Sequence, residues 1–87
     1  MENKVYIVVC DEYNKYVEEK SNLGVYWNIE EARKAFNEVK NEFISEHSDY
    51  FECYDDYEVE ERPDFYHWMD EGMGYYFEVW IEEHFVK

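Results

Sequence analysis

Residues 28–46 read NIEEARKAFNEVKNEFISE, and their spacing decides what kind of fold this chain can make. Apolar side chains stand at Ile29, Ala32, Phe36, Val39 and Phe43. The steps alternate between three and four, which sets them on one helical stripe. Glu30, Arg33, Lys34, Glu38, Lys40 and Glu42 fill the outer side. Asn28 suits an N-cap, where its side-chain oxygen can accept a free backbone N–H of the first turn. Glu31 at the third helical position gives the Asn form of a capping box. The spacing predicts one long helix over about 28–46.

The flanks read as strands. In Lys4–Cys10 (KVYIVVC), Val5, Ile7 and Val9 face one way and Tyr6, Val8 and Cys10 the other. Apolar residues on both sides predict an interior strand. Asp11–Asn22 is polar and is expected to be a loop or frayed hairpin. Leu23–Trp27 (LGVYW) predicts a short second strand. Tyr75–Glu83 alternates, with Tyr75, Phe77, Val79 and Ile81 on one face and Tyr76, Glu78, Trp80 and Glu82 on the other. Residues 47–62 carry both periods. The reading preferred here is a short helix from Asp49, followed by an extended piece. Pro63 fits a first helical position, so Asp64–Glu71 is expected to form one or two helical turns ended by Gly72.

These pieces give the order β-β-α-(short α)-β. The expected fold class is α+β: one domain over 1–87, with a small, mainly antiparallel sheet. The long helix is expected on one face, and residues 47–74 form a short acidic helical insertion. One helix cannot cover both faces. The second face, expected to carry Tyr76, Trp80, Tyr6 and Val8, would be shielded by the acidic helices or by a second protomer, which makes a homodimer.

The chain has 87 residues, 22% of them aromatic and 46% hydrophobic, with a formal net charge of −15. That much aromatic content separates it from disordered acidic tails. The charge is uneven. Residues 1–40 hold six basic and eight acidic side chains, whereas from residue 41 onward fifteen carboxylates face only Arg62 and Lys87. Two cysteines, Cys10 and Cys53, make no disulfide framework. No basic-then-apolar leader and no run of about 20 apolar residues is present, so a cytoplasmic protein with reduced thiols is expected. Anionic lipid would repel it, so no membrane partner is expected.

The strand Val5–Val9, the Gly24–Tyr26 segment, the helix start Glu30–Ala32 and the closing Tyr76–Glu83 resemble small uncharacterised proteins of phages and mobile elements. Those open with a "VYIVV"-like strand, continue with "GVY" or "GVF", and start a helix near "xEEA". The resemblance implies a β-β-α-β fold and no catalytic residue. The small acidic composition is also similar to DNA-mimicking phage inhibitors such as anti-CRISPR proteins. That likeness implies a bacterial host cytoplasm as the place of action.

From Tyr50 to Trp80 there are eleven aromatics and ten carboxylates. One reading is a solvated acidic face over an aromatic core. The other is a surface that fits a basic groove evolved for nucleic acid. Duplex DNA carries one charge per ~1.7 Å of axis, too dense for one helix to copy. Several elements would have to contribute. The candidate partner-binding residues are Tyr54, Asp55, Asp56, Tyr57, Glu58, Glu60, Glu61 and Trp68, joined by Glu78 and Glu82 on the last strand. Tyr54, Tyr57 and Trp68 are the candidate exposed anchors, since Tyr and Trp often act as interface hot spots.

His47, His67, His84, Cys10 and Cys53 are the potential zinc ligands, but CxxC, HxxxH and HExxH spacings are absent. The residues Asp55-Asp56 and Asp70-Glu71-Gly72 do not match a calcium loop. No metal or other cofactor is therefore assigned. Carboxylate pairs arise by chance among 23 acids, and neither a Gly-rich phosphate loop nor a nucleophile motif is present, so no enzyme is expected. Direct nucleic-acid binding is disfavoured because it needs cations to neutralise phosphates. The expected function is a non-enzymatic acidic binding protein of phage or mobile-element type. It would occlude the basic groove of a nucleic-acid-processing protein such as a defence nuclease. The alternatives are a homodimeric structural or regulatory accessory domain and a zinc-stabilised small domain.

Overall fold

The computed structural model describes residues 3–13, 18–48, 57–70, 72 and 74–86. Five strands and one helix follow in order: β1 (Asn3–Tyr13), β2 (Glu18–Tyr26), α1 (Ile29–Glu46), β3 (Glu58–Arg62), β4 (Phe65–Asp70) and β5 (Tyr75–Val86). The strands form one sheet in the order β2-β1-β5-β4-β3, with every neighbouring pair antiparallel. The fold is α+β and rich in sheet.

β1 is interior, as its two apolar sides predict, lying between β2 and β5. Val8 is fully buried on one side and Val9 is 5% exposed on the other. The ladder with β2 runs through the polar segment to Tyr13↔Glu18, so of the two readings, loop or frayed hairpin, the hairpin holds, and residues 11–13 and 18–22 form a regular arm. Backbone bonds carry a ladder whatever the side chains are. Glu18 to Asn22 remain exposed at the sheet edge, where polar residues incur little cost. The register shifts between Val8 and Val9, leaving Leu23 as an extra residue on β2. Beside this bulge, Gly24 lies against the Tyr26 ring; a Cβ there would come within 2.9 Å of its Cε2.

α1 begins at Ile29, with Asn28 extended at φ −126° and ψ 128° as its cap. The Asn28 side chain accepts from the Glu30 N–H at 2.7 Å, one residue earlier than the third-position bond of the capping box. Ala32, Phe36 and Phe43 are buried. They form one core with Val8, Tyr66, Trp68, Phe77 and Val79. The Phe43 ring stacks on Phe77 with centroids 4.0 Å apart and planes 5° apart. It meets Trp68 edge-on at 5.6 Å. Such pairs add roughly 0.5–1.5 kcal/mol beyond their area burial.

The helical turn expected over Asp64–Glu71 is corrected: Phe65–Asp70 is a strand. Its burial alternates strictly, with Tyr66, Trp68 and Asp70 buried and Phe65, His67 and Met69 half-buried. Pro63 starts a turn and not a helix. Arg62 pairs with Phe65 across a two-residue loop of Pro63 and Asp64. Proline fixes a negative φ at the first loop position, and Asp64 takes φ 65° at the second, the backbone pattern of a type II turn. The extended piece expected before Pro63 is β3. The short helix expected from Asp49 falls on residues 49–56, outside the described residues.

Direct cross-strand partners project to the same side of a sheet. Tyr6, Val8 and Cys10 therefore share the core side with Ile81, Val79 and Phe77, and with Tyr66 and Trp68. This corrects the expected second face. Tyr6 and Val8 are on the core side, and Val5, Ile7 and Val9 join Tyr76 and Trp80 on the outer side.

Candidate functional site

The register lays the outer side out in rows across the sheet. One row runs Glu58–Met69–Tyr76–Tyr13–Glu18, the next Glu60–His67–Glu78–Asp11–Lys20, and the third Arg62–Phe65–Trp80–Val9–Asn22. Beyond them Glu82 stands beside Ile7, and Ile7 beside Val25. Strands lie about 4.8 Å apart and residues on one side recur every ~6.8 Å. Glu60 and Glu78 are thus about 10 Å apart, with His67 between them.

Polar contacts lock this lattice. The Tyr76 hydroxyl donates to Asp11 Oδ2 at 3.1 Å and reaches Glu18 Oε1 at 3.4 Å. Tyr13 stacks on Tyr76 with centroids 5.5 Å apart. Burial, followed by the Asp11 and Glu18 carboxylates, pushes the Tyr76 hydroxyl up to about 12, so it stays a donor at neutral pH. His67 Nδ1 lies 2.8 Å from Glu78 Oε1, in a geometry that makes no hydrogen bond. The Trp80 indole N–H donates to Glu82 Oε1 at 3.1 Å, and His84 Nε2 approaches Glu82 Oε2 at 3.0 Å. The bond with His84, then that from Trp80, holds the Glu82 carboxyl below the usual range.

Two of the chain's own cations rest on aromatic faces here. Lys20 Nζ lies 5.6 Å from the Trp80 centroid, and Arg62 Cζ 4.3 Å from the Phe65 centroid. Arg62 Nε is also 3.5 Å from Glu60 Oε1. An open groove of about 410 Å³ runs along Arg62, Pro63, Asp64, Phe65, Glu78, Trp80 and Ile81.

Of the sequence candidates, Glu58, Glu60, Glu78 and Glu82 share the outer side. Glu61 does not. It faces the core side, where its Oε1 accepts from Lys40 Nζ at 2.8 Å. Trp68 is corrected as an exposed anchor: it is 2% exposed, because Phe43, Tyr57 and Tyr75 crowd its ring. Tyr57 is half-buried against it at 5.8 Å. Tyr54, Asp55 and Asp56 lie outside the described residues. The sequence reading left out Tyr13, Asp11, Phe65 and Arg62 from this surface. Only the register brings them to it, although the period of two through Asp11 and Tyr13 was a usable signal.

On the core side, the Tyr75 hydroxyl donates to Glu12 Oε1. Burial and then that carboxylate push the Tyr75 hydroxyl above the ordinary tyrosine range. Burial, then Glu12 and Asp11, push the Cys10 thiol up to about 11. A thiol held protonated at neutral pH is a poor nucleophile. Among the described residues, no three His, Cys, Asp or Glu side chains converge to hold a metal, and Cys53 lies outside them. No helix among them is long and apolar enough to cross a membrane. Comparison of the chain with family models, curated proteins and solved structures finds no match.

Proposed function

We propose that the protein is a non-enzymatic acidic binding protein that docks its outer sheet side on a basic surface of another protein. Among the described residues the one helix, α1, packs on the core side, and the outer side is the one offered to the partner. The observation that carries this reading is the placement of Glu58, Glu60, Glu78 and Glu82 on one side with Tyr76 and Trp80. Carboxylates steer the encounter and disfavour nucleic acid, while aromatics between them supply desolvated contact area. Charges about 7–10 Å apart are sparser than those of a duplex at one per ~1.7 Å. The surface therefore suits a patch of a few phosphate sites, such as part of the groove of a nucleic-acid-processing protein of the host of a phage or mobile element.

A homodimer through Tyr76 and Trp80 is the other reading. It would bring the same four carboxylates against their own copies, so like charges oppose it. A pull-down from bacterial lysate at low and high salt, with wild type and an E58K/E60K/E78K variant, tests the proposal. A basic protein captured by the wild type, released by salt or duplex DNA and lost with the variant is the expected result. Equal capture by the two proteins overturns it. Light scattering that shows a salt-independent dimer with no such capture favours the homodimer.

A further inference from the structure

The groove beside Trp80 says more about what the partner presents, on the premise that the docking reading above holds. Phe65 and Trp80 are neighbours in one row, and Glu78 stands next to Trp80 in the adjacent row. The bond to Glu82 fixes the plane of the Trp80 ring. Asp11 Oδ1, beside Glu78, is buried and takes no hydrogen bond among the described residues. A ring face with a carboxylate at its rim is selective for a flat cation. The π face attracts its charge, and the carboxylate accepts its N–H groups. Arg62 already lies over Phe65 in this way, its Cζ 4.3 Å from the ring centroid, whereas the Lys20 ammonium stands farther off Trp80, at 5.6 Å. The Arg62 side chain is 60% exposed and meets Glu60 only at 3.5 Å, so it is held loosely at the mouth of the groove.

We propose that the groove of Phe65, Glu78 and Trp80 receives one arginine side chain of a basic partner protein, and that Arg62 is an internal competitor for the place. The incoming guanidinium lies along the aromatic rings with its N–H groups toward Glu78. Arg62 swings toward Glu60 to admit it. Lysine fits less well, because an ammonium cannot lie flat on a ring and donate in the ring plane at once.

The test uses a tetra-arginine peptide as probe, with tetra-glutamate as control, by calorimetry at low salt. Two pairs of charge-matched variants separate the groove from the general acidity. R62A and K34A each remove one positive charge, but only Arg62 lies in the groove; Lys34 is exposed on α1. E78Q and E38Q each remove one negative charge, and Glu38 is exposed on α1. R62A is expected to bind about two- to fivefold tighter than K34A, and E78Q more weakly than E38Q by a similar factor. The Trp80 indole N–H resonance should move on titration of the wild type. If R62A matches K34A and E78Q matches E38Q while the peptide still binds, the arginine site is overturned and the docking reading stands. If the wild type binds tetra-arginine no better than tetra-glutamate, both are overturned.

Discussion

Arg33 of α1 closes on Asp64, in the turn between β3 and β4, through two bonds: Nε to Oδ1 at 2.8 Å and Nη2 to Oδ2 at 3.1 Å. This fork-to-carboxylate pair ties the helix to the tip of a hairpin. Asp64 and its bond raise the Arg33 guanidinium above its usual value. Asp64 also holds φ 65°, a conformation that Asp tolerates and Ala does not. D64A and D64G both lose the pair, but only D64A adds backbone strain. D64A should therefore be less stable than D64G by about 1 kcal/mol in urea unfolding. Equal midpoints would show that the turn tolerates a Cβ without help from the carboxylate.

The tryptophans should separate by burial. Trp68 is 2% exposed inside the aromatic core, whereas Trp27 is 71% exposed. W68A should cost about 3–5 kcal/mol, a large fraction of a total stability of order 5–15 kcal/mol. W27A should stay within about 0.5 kcal/mol of wild type. Chemical denaturation followed by far-UV circular dichroism distinguishes these outcomes.

Alkaline pH should unfold the protein through groups that folding keeps protonated. Cys10 rises from 9.0 to about 11, Tyr76 from 10.0 to about 12, and Tyr75 in the same direction. Above the unfolded value the unfolded chain loses its proton first, so it binds fewer protons and stability falls as pH rises. The stabilisation is complete below pH 9.0, and its Cys10 part is lost between 9.0 and about 11. The urea midpoint should decline from near that lower value, and C10A should delay the onset. An identical decline in C10A would place the loss on other groups.

Salt should stabilise the fold. The net charge is −15, and raising NaCl from 0.01 to 0.15 M shortens the screening length from about 30 to about 8 Å. The same salt weakens exposed pairs such as Lys4–Glu83 and Arg62–Glu60, but such pairs contribute little. Relief of self-repulsion should win, with Tm rising by roughly 5 °C for each ~1 kcal/mol regained. A Tm that falls with NaCl would mean that the ion pairs outweigh the repulsion.

Local periodicity made α1, β1 and β5 legible. Asn28 caps α1, Val8 and Val9 are buried on opposite sides of β1, and Phe77 and Val79 line the buried side of β5. The same approach failed at Pro63-Asp64, because proline serves a helix start and a turn equally well. The deciding facts were non-local: the pairing of Phe65 with Trp80, and the closure of Arg33 on Asp64. Trp68 was misplaced for the same reason. Its burial follows from the strand alternation that a helical reading of Asp64–Glu71 hides. Of the outer surface, Glu78 and Glu82 were legible on one strand, but their company with Glu58 and Glu60 depends on two further registers. Glu61 went to the other side because adjacent residues of a strand point oppositely.

β5 lies between β1 and β4, and the sheet places the two hairpins on its opposite flanks. Its rungs with β1, from Tyr13↔Tyr76 to Asn3↔Val86, join residues roughly sixty to eighty positions apart. Each hairpin closes a short loop and can form early. β4 and β5 also pair through a short closure, from Asp70↔Tyr75, so it is the rungs between β1 and β5 that close long loops and form the slow part of folding. Glu60 belongs to the β3-β4-β5 meander and Asp11 to the β1-β2 hairpin, and they share a surface only after β1 has paired with β5. The acidic surface is thus an assembled property. A trapped intermediate with the hairpin and the meander formed but β1 and β5 unpaired would hold Glu60 and Glu78 in register and still lack Asp11 and Tyr13, which hold Tyr76 in the finished face.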